Sequence, residues 1–144
     1  MSTVRLRAPR PDDTARIAAL LDQLGHPADP DDVPRRVRAI EQDPDADIWV
    51  AELDGTVVGF ATALMIAAIH MDGPVAQLTS LVVDGSVRGQ GIGARLVEEA
   101  ERWARGRGAV RISLTSALHR APAHAFYEHL GYAKTGVRLA RDLA

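Results

Sequence analysis

The chain has 144 residues, a net charge of −2 and 47% hydrophobic residues, so we expect a single domain over residues 1–144 with a core of its own. It has no cysteine, which excludes disulfides, thiolate metal sites and cysteine nucleophiles; no metal is expected. Its 17 basic residues are arginines apart from Lys134 and form no stripe, and aromatic residues are few, so no nucleic-acid partner is expected.

In chain order, "VRLRA" (4–8) alternates as a short strand, and "PRPDD" supplies turn and cap residues. Ile17, Leu20, Leu21 and Leu24 then recur at helical spacing, and Gly25 ends that helix. "HPADPDD" is a loop. Val33, Val37 and Ile40 mark a second helix that stops before Pro44. The pattern next turns to strands. "DIWVAEL" (47–53) and "TVVGFATALMIAAI" (56–69) flank a hairpin turn at Asp54 and Gly55, and "VAQLTSLVV" (75–83) follows the turn "DGP". Three strands joined by tight turns predict an antiparallel meander.

"VRGQGIGARL" (87–96) opens a helix over 91–107, whose face is Ile92, Leu96, Val97, Ala100, Trp103 and Ala104. A strand over 110–116 makes a right-handed parallel unit with strand 75–83. Pro122 opens a last helix running to Leu130, Gly131 caps it, and residues 132–143 read as a closing hairpin. The order β-α-α-β-β-β-α-β-α-β-β predicts an α/β (α+β) fold: a mixed sheet with helices on both faces, not a doubly wound one. No apolar run approaches the roughly 18 residues of a membrane span. "MSTVRLRAPRPDD" lacks the apolar core of a secretory signal, so a cytoplasmic location without membrane contact is expected.

The glycine run reads as a phosphate loop, and it lies in the basic part of the chain. Residues 1–55 carry 12 acids and 7 bases, whereas residues 56–144 carry 7 acids and 10 bases. Three phosphate donors compete for it. Gly89, Gly91 and Ala94 satisfy the dinucleotide pattern G-x-G-x-x-[G/A]. That pattern expects an acidic residue about 20 positions on, at the end of the next strand; here the strand ends in Leu114, Thr115 and Ser116. A nucleoside triphosphate loop needs a lysine after its glycines, and none follows. The third reading is a pyrophosphate cradle. Glycine N–H groups close on the anion, the first turn of the following helix adds its unpaired donors and dipole, and Arg88 adds a charged fork.

"VVDGSVRGQGIGARL" resembles the acetyl-CoA-binding motif of the GNAT superfamily of N-acetyltransferases. "ISLTSALHRAPAHAFYEHLGY" (112–132) is similar to that family's next strand, loop and helix. Together they span residues 78–132. The resemblance implies a mostly antiparallel mixed sheet whose central parallel strands splay apart, and acetyl-CoA as cosubstrate. It places the cofactor on Arg88, Gly89, Gln90, Gly91, Ile92, Gly93 and Ala94. It also implies free backbone groups of Leu81, Val82 and Val83 for the pantetheine arm, with an oxyanion-stabilising amide near Val82. Ser116 stands where the family often carries asparagine. Tyr127 matches the family's tyrosine and is the implied catalytic residue, partner to the departing thiolate.

The expected reaction is acetyl transfer to a primary amine of a small molecule or peptide. The base stays open. Strand 75–83 has no carboxylate, Gln77 cannot serve, and His70, His119, His124 or a water chain remain candidates. The acidic stretches 29–32 and 43–47 could attract a cationic acceptor. A noncatalytic acyl-CoA-binding sensor is the alternative function. The resemblance also suggests a homodimer built on the closing hairpin.

Overall fold

The computed structural model describes residues 3–115 and 121–144. Its elements run β1 (Val4–Arg7), α1 (Thr14–Leu24), α2 (Val33–Glu41), β2 (Ala46–Leu53), β3 (Thr56–Ile66), β4 (Val75–Val83), α3 (Ile92–Gly106), β5 (Arg111–Leu114) and α4 (Ala121–His129). The chain forms two compact units, Met1–Ser113 and Leu114–Ala144.

The first unit is built on a mixed five-stranded sheet in the order β1-β2-β3-β4-β5. β1 to β4 are joined by antiparallel pairing, and the β2–β3 hairpin turns at Asp54 and Gly55 with both φ positive, as an Asp-Gly turn requires. Strand alternation sorts the side chains onto two faces. Val50, Phe60 and Val82 lie in register on one face, where Ile17 and Leu20 of α1 and Val33 of α2 pack over them. The other face carries Trp49, Ala51 and Ala61, and α3 covers it with buried Ile92, Leu96, Val97, Ala100 and Ala104. Burial of Ile92, Leu96 and Val97 there contributes about 1.5–3 kcal/mol each. The small residue Gly59 permits a close approach. A Cβ there would lie 2.8 Å from the Val82 carbonyl oxygen and 3.3 Å from Leu96 Cδ1.

Helix ends follow the chemistry of their residues. Gly25 closes α1 at φ 93, and Gly108, at φ 81, follows α3. Ala109 donates its N–H back to the Ala104 carbonyl at 3.0 Å. At the start of α1, Asp13 is buried and held by Arg7 through two bonds, at 2.8 and 3.0 Å, and by the Arg10 N–H at 2.6 Å. Arg7 also reaches Glu52 at 3.1 Å. One ion cluster thus joins β1, α1 and β2. It holds the Asp13 carboxyl below the usual carboxylate range, first through the Arg7 hydrogen bonds, against a desolvation that acts the other way.

In the second unit, α4 ends at His129, Gly131 follows at φ 98, and the Tyr132 N–H returns to the Tyr127 carbonyl at 3.0 Å. The expected closing hairpin is not formed: residues 133–144 are exposed and contain no strand. Alternating apolar residues make a strand only where a neighbour takes their hydrogen bonds and covers their apolar face. Val137, Leu139 and Leu143 stay uncovered at 86–93% exposure. β3 is also shorter than expected. It stops at Ile66, so His70 lies in the following turn and does not end a strand. No helix among the described residues is long and apolar enough to cross a membrane.

Candidate functional site

The strand-to-helix connection after β4 is shaped by two glycines. Val83 ends the strand, residues 85–87 form one tight turn, and Arg88 is extended at φ −64 and ψ 154. Gly89 (φ 85) and Gly91 (φ 77) then adopt left-handed conformations that a side chain disfavours. Gly91 is the residue before α3, and its carbonyl accepts the helix's first bond, from the Arg95 N–H at 3.1 Å. The N–H groups of Ile92, Gly93 and Ala94 therefore precede the helical ladder. Buried Ile92 anchors this end of α3, while Arg88, Gly89, Gln90 and Gly91 are exposed. A Cβ added at Gly89 or Gly91 would meet no atom within 4 Å. The turn thus combines N–H groups at a helix start with open space at Gly89 and Gly91 and the exposed Arg88 nearby, a combination that suits an anion. Among the described residues no group of side chains could hold a metal ion.

The turn is braced from behind by Asp84. Its Oδ1 accepts from the Ser86 N–H at 3.0 Å and the Ser86 hydroxyl at 2.9 Å, and its Oδ2 accepts from Arg16 of α1 at 2.6 Å. The Ser86 N–H, then Arg16, then the Ser86 hydroxyl hold the carboxyl far below its ordinary range. Sequence reading missed Arg16 as part of this arrangement. Asp84-x-Ser86 is a recognisable Asx-turn signal, but no local pattern marks a partner 68 positions away.

The backbone of β4 shows which groups face which neighbour. Asp84 donates its N–H to the Val58 carbonyl of β3 at 2.7 Å. Alternation along the strand then turns Val82 toward β3 as well, opposite Phe60, and turns the backbone groups of Leu81 and Val83 to the other side of β4, away from β3. Of the three residues expected to offer free backbone groups, Val82 is thus engaged with β3, and its side chain lies in the core. The register between β3 and β4 slips by one residue at Thr62 and Ala63, leaving Thr79 as the extra residue. There the buried Thr62 hydroxyl meets those of Thr79 at 2.6 Å and Ser80 at 2.5 Å.

The remaining candidates are spread along the chain. Tyr127 lies half-buried on α4, edge-on to Phe126 at 5.2 Å and to Tyr132 at 5.9 Å. His124 is half-buried on the same helix, His70 is exposed, and Gln77 sits on β4 opposite Leu64. Ser116 and His119 lie outside the described residues. Several acidic-loop carboxylates are bound locally: Asp29 accepts from the Asp31 N–H, Asp43 from Asp45 and Asp47 from Ile48.

Residues 14–132 match the model of the acetyltransferase (GNAT) family. Over 101 residues the chain is 34% identical to an aminoalkylphosphonate N-acetyltransferase of Salmonella typhimurium, covering 70% of this chain and 66% of that protein. Over 88 residues it is 36% identical to human N-acetyltransferase 8B, covering 61% of this chain and 39% of that protein. The chain therefore spans just under two thirds of the first relative and well under half of the second. Among solved structures, an aminoglycoside N-acetyltransferase in complex with CoA superimposes with a TM-score of 0.86 at 22% identity, over 100% of this chain and 97% of that one.

Proposed function

The chain belongs to the acetyltransferase (GNAT) family, and on that premise we propose that it is an acetyl-CoA-dependent N-acetyltransferase acting on a primary amine of a small molecule or peptide. The observation that carries this reading is the cradle: two left-handed glycines and Arg88, set against the start of α3 with clear space in front. We read residues 1–144 as one acetyltransferase domain, since the family match runs through both compact units.

When bound, acetyl-CoA supplies an acetyl thioester. Arg88 and the N–H groups of Gly89 to Ala94 bind the pyrophosphate charge. The backbone groups of Leu81 and Val83, on the side of β4 away from β3, align the pantetheine arm, and one of their N–H groups, in place of Val82, stabilises charge on the carbonyl oxygen. The acceptor amine must reach the site unprotonated, because an alkyl ammonium of pKa about 10 has no lone pair to give. As the new C–N bond forms and the C–S bond breaks, the amine's surplus proton passes to a base still to be assigned, water or one of His70, His119 and His124. Tyr127 donates a hydrogen bond to the departing sulfur. Moving its proton outright, from a pKa of about 10 to one of about 8.5, is uphill by roughly 2 kcal/mol, so the hydrogen bond is the useful contribution.

The relatives named for small acceptors, aminoalkylphosphonates and aminoglycosides, support a small-molecule amine over a sensor role. An amine panel followed by free CoA release and product mass tests this: transfer of one acetyl group is expected. CoA binding without turnover on any amine would favour the sensor. A homodimer is supported by uncovered Val137, Leu139 and Leu143, and a monomer by light scattering would overturn it. We place the enzyme in the cytoplasm, with cell fractionation as the test.

A further inference from the structure

Two side chains of α1, one helical repeat of seven residues apart, reach the loop that enters the cradle. Arg16 donates through Nε to the Val57 carbonyl at 2.9 Å and through its guanidinium to Asp84 at 2.6 Å. The Gln23 side-chain oxygen accepts from the Gly85 N–H at 2.9 Å. The residues they hold, Asp84 and Gly85, lead directly into the 85–87 turn and Arg88.

We propose that Arg16 is a positioning residue for the CoA site, which acts by neutralising Asp84 and fixing the turn that aims Arg88 and the glycine N–H groups. This rests on the reading of the cradle given above. Two physical points carry it. Asp84 places a carboxylate four residues before Arg88, in the loop of a site read as holding an anion, and an unpaired carboxylate there would repel that anion. In addition, packing of α1 on the sheet is already secured by buried Leu20, Phe60 and Val82. The Arg16–Asp84 pair lies at the rim of that core, and the residue it holds opens directly into the 85–87 turn, so its loss falls first on that loop. Arg16 keeps 36% of its side-chain surface, which fits this local role.

The test measures CoA binding calorimetrically, and acetyl-CoA kinetics alongside, for the wild type, Arg16→Leu, Arg16→Lys, Gln23→Met and the double variant Arg16→Leu/Asp84→Asn. Arg16→Leu should weaken CoA about tenfold and raise the KM for acetyl-CoA similarly, with kcat at saturation essentially unchanged. Arg16→Lys should restore part of the affinity, and the double variant should bind more tightly than Arg16→Leu, since the unpaired carboxylate is gone. Gln23→Met should weaken binding a few-fold and serves if Arg16→Leu does not fold. Equal CoA affinity in wild type and folded Arg16→Leu, or a loss confined to kcat, would overturn the positioning role. A double variant no better than Arg16→Leu would overturn the charge argument. Wild type that fails to bind CoA would overturn the cradle reading itself, and the two failures are thereby distinct.

Discussion

Gly91→Ala and Gly108→Ala form a matched pair at the two ends of α3. Gly91 has φ 77 and Gly108 has φ 81, and a Cβ at either meets no atom within 4 Å. The backbone penalty for alanine in the left-handed region is therefore the same, about 1–2 kcal/mol. That predicts a melting temperature lowered by roughly 3–5 °C per kcal/mol in either variant. The ligand side differs. At Gly91, the residue before α3, an added methyl sits at the proposed anion site and is expected to cost one charge-assisted hydrogen bond to the ligand, worth about 1.5–3 kcal/mol, or roughly 10- to 150-fold in affinity. At Gly108 it projects from the far end of the helix. Titration calorimetry with CoA, with melts of the unliganded proteins as control, should show similar stability losses and a CoA defect in Gly91→Ala alone. Matching CoA affinities in the two variants would refute the assignment of the α3 N-terminus as the anion site.

Four further outcomes follow from the contacts described. Tyr127→Phe should lower kcat about 10- to 100-fold with little change in acetyl-CoA affinity, and an unchanged kcat would remove Tyr127 from the chemistry. Arg7→Met strips the main partner from buried Asp13 and should cost about 3–5 kcal/mol by urea denaturation. The Asp13 carboxyl is depressed in the folded state. Its stabilising contribution is thus complete above the unfolded pKa of about 4 and is lost as pH falls through the lower folded value. Asp13→Asn should accordingly show a flatter loss of stability below pH 4 than wild type, and parallel profiles would contradict this. Gly59→Ala forces a Cβ to 2.8 Å from the Val82 carbonyl oxygen. It should destabilise by about 1–3 kcal/mol and shift β4 beside Leu81 and Val83, so acetyl-CoA KM should rise as well. Wild-type stability and KM together would show that the strands yield freely.

Element positions were legible in the sequence wherever the cause is local. The spacing of Ile17, Leu20, Leu21 and Leu24 marked α1, and Asp54-Gly55 marked the hairpin. Gly25 and Gly131 marked helix ends, and each has a positive φ. The closing hairpin was misread for the complementary reason: alternation in residues 132–143 is local, but the neighbour that would turn it into a strand is not.

The sequence by itself determined the family and the glycine turn that leads into α3, because "VRGQGIGARL" keeps its glycines, its arginine and its helix start within ten consecutive residues. Only the tertiary structure decided what stands behind the cradle. Asp84 meets Arg16 across 68 positions, and Arg7 joins Glu52 across 45. Likewise the direction of each β4 amide depends on pairing with β3, which no residue of β4 encodes alone. A side chain states what it can bond; the fold selects which distant partner comes within about 3 Å to take the bond.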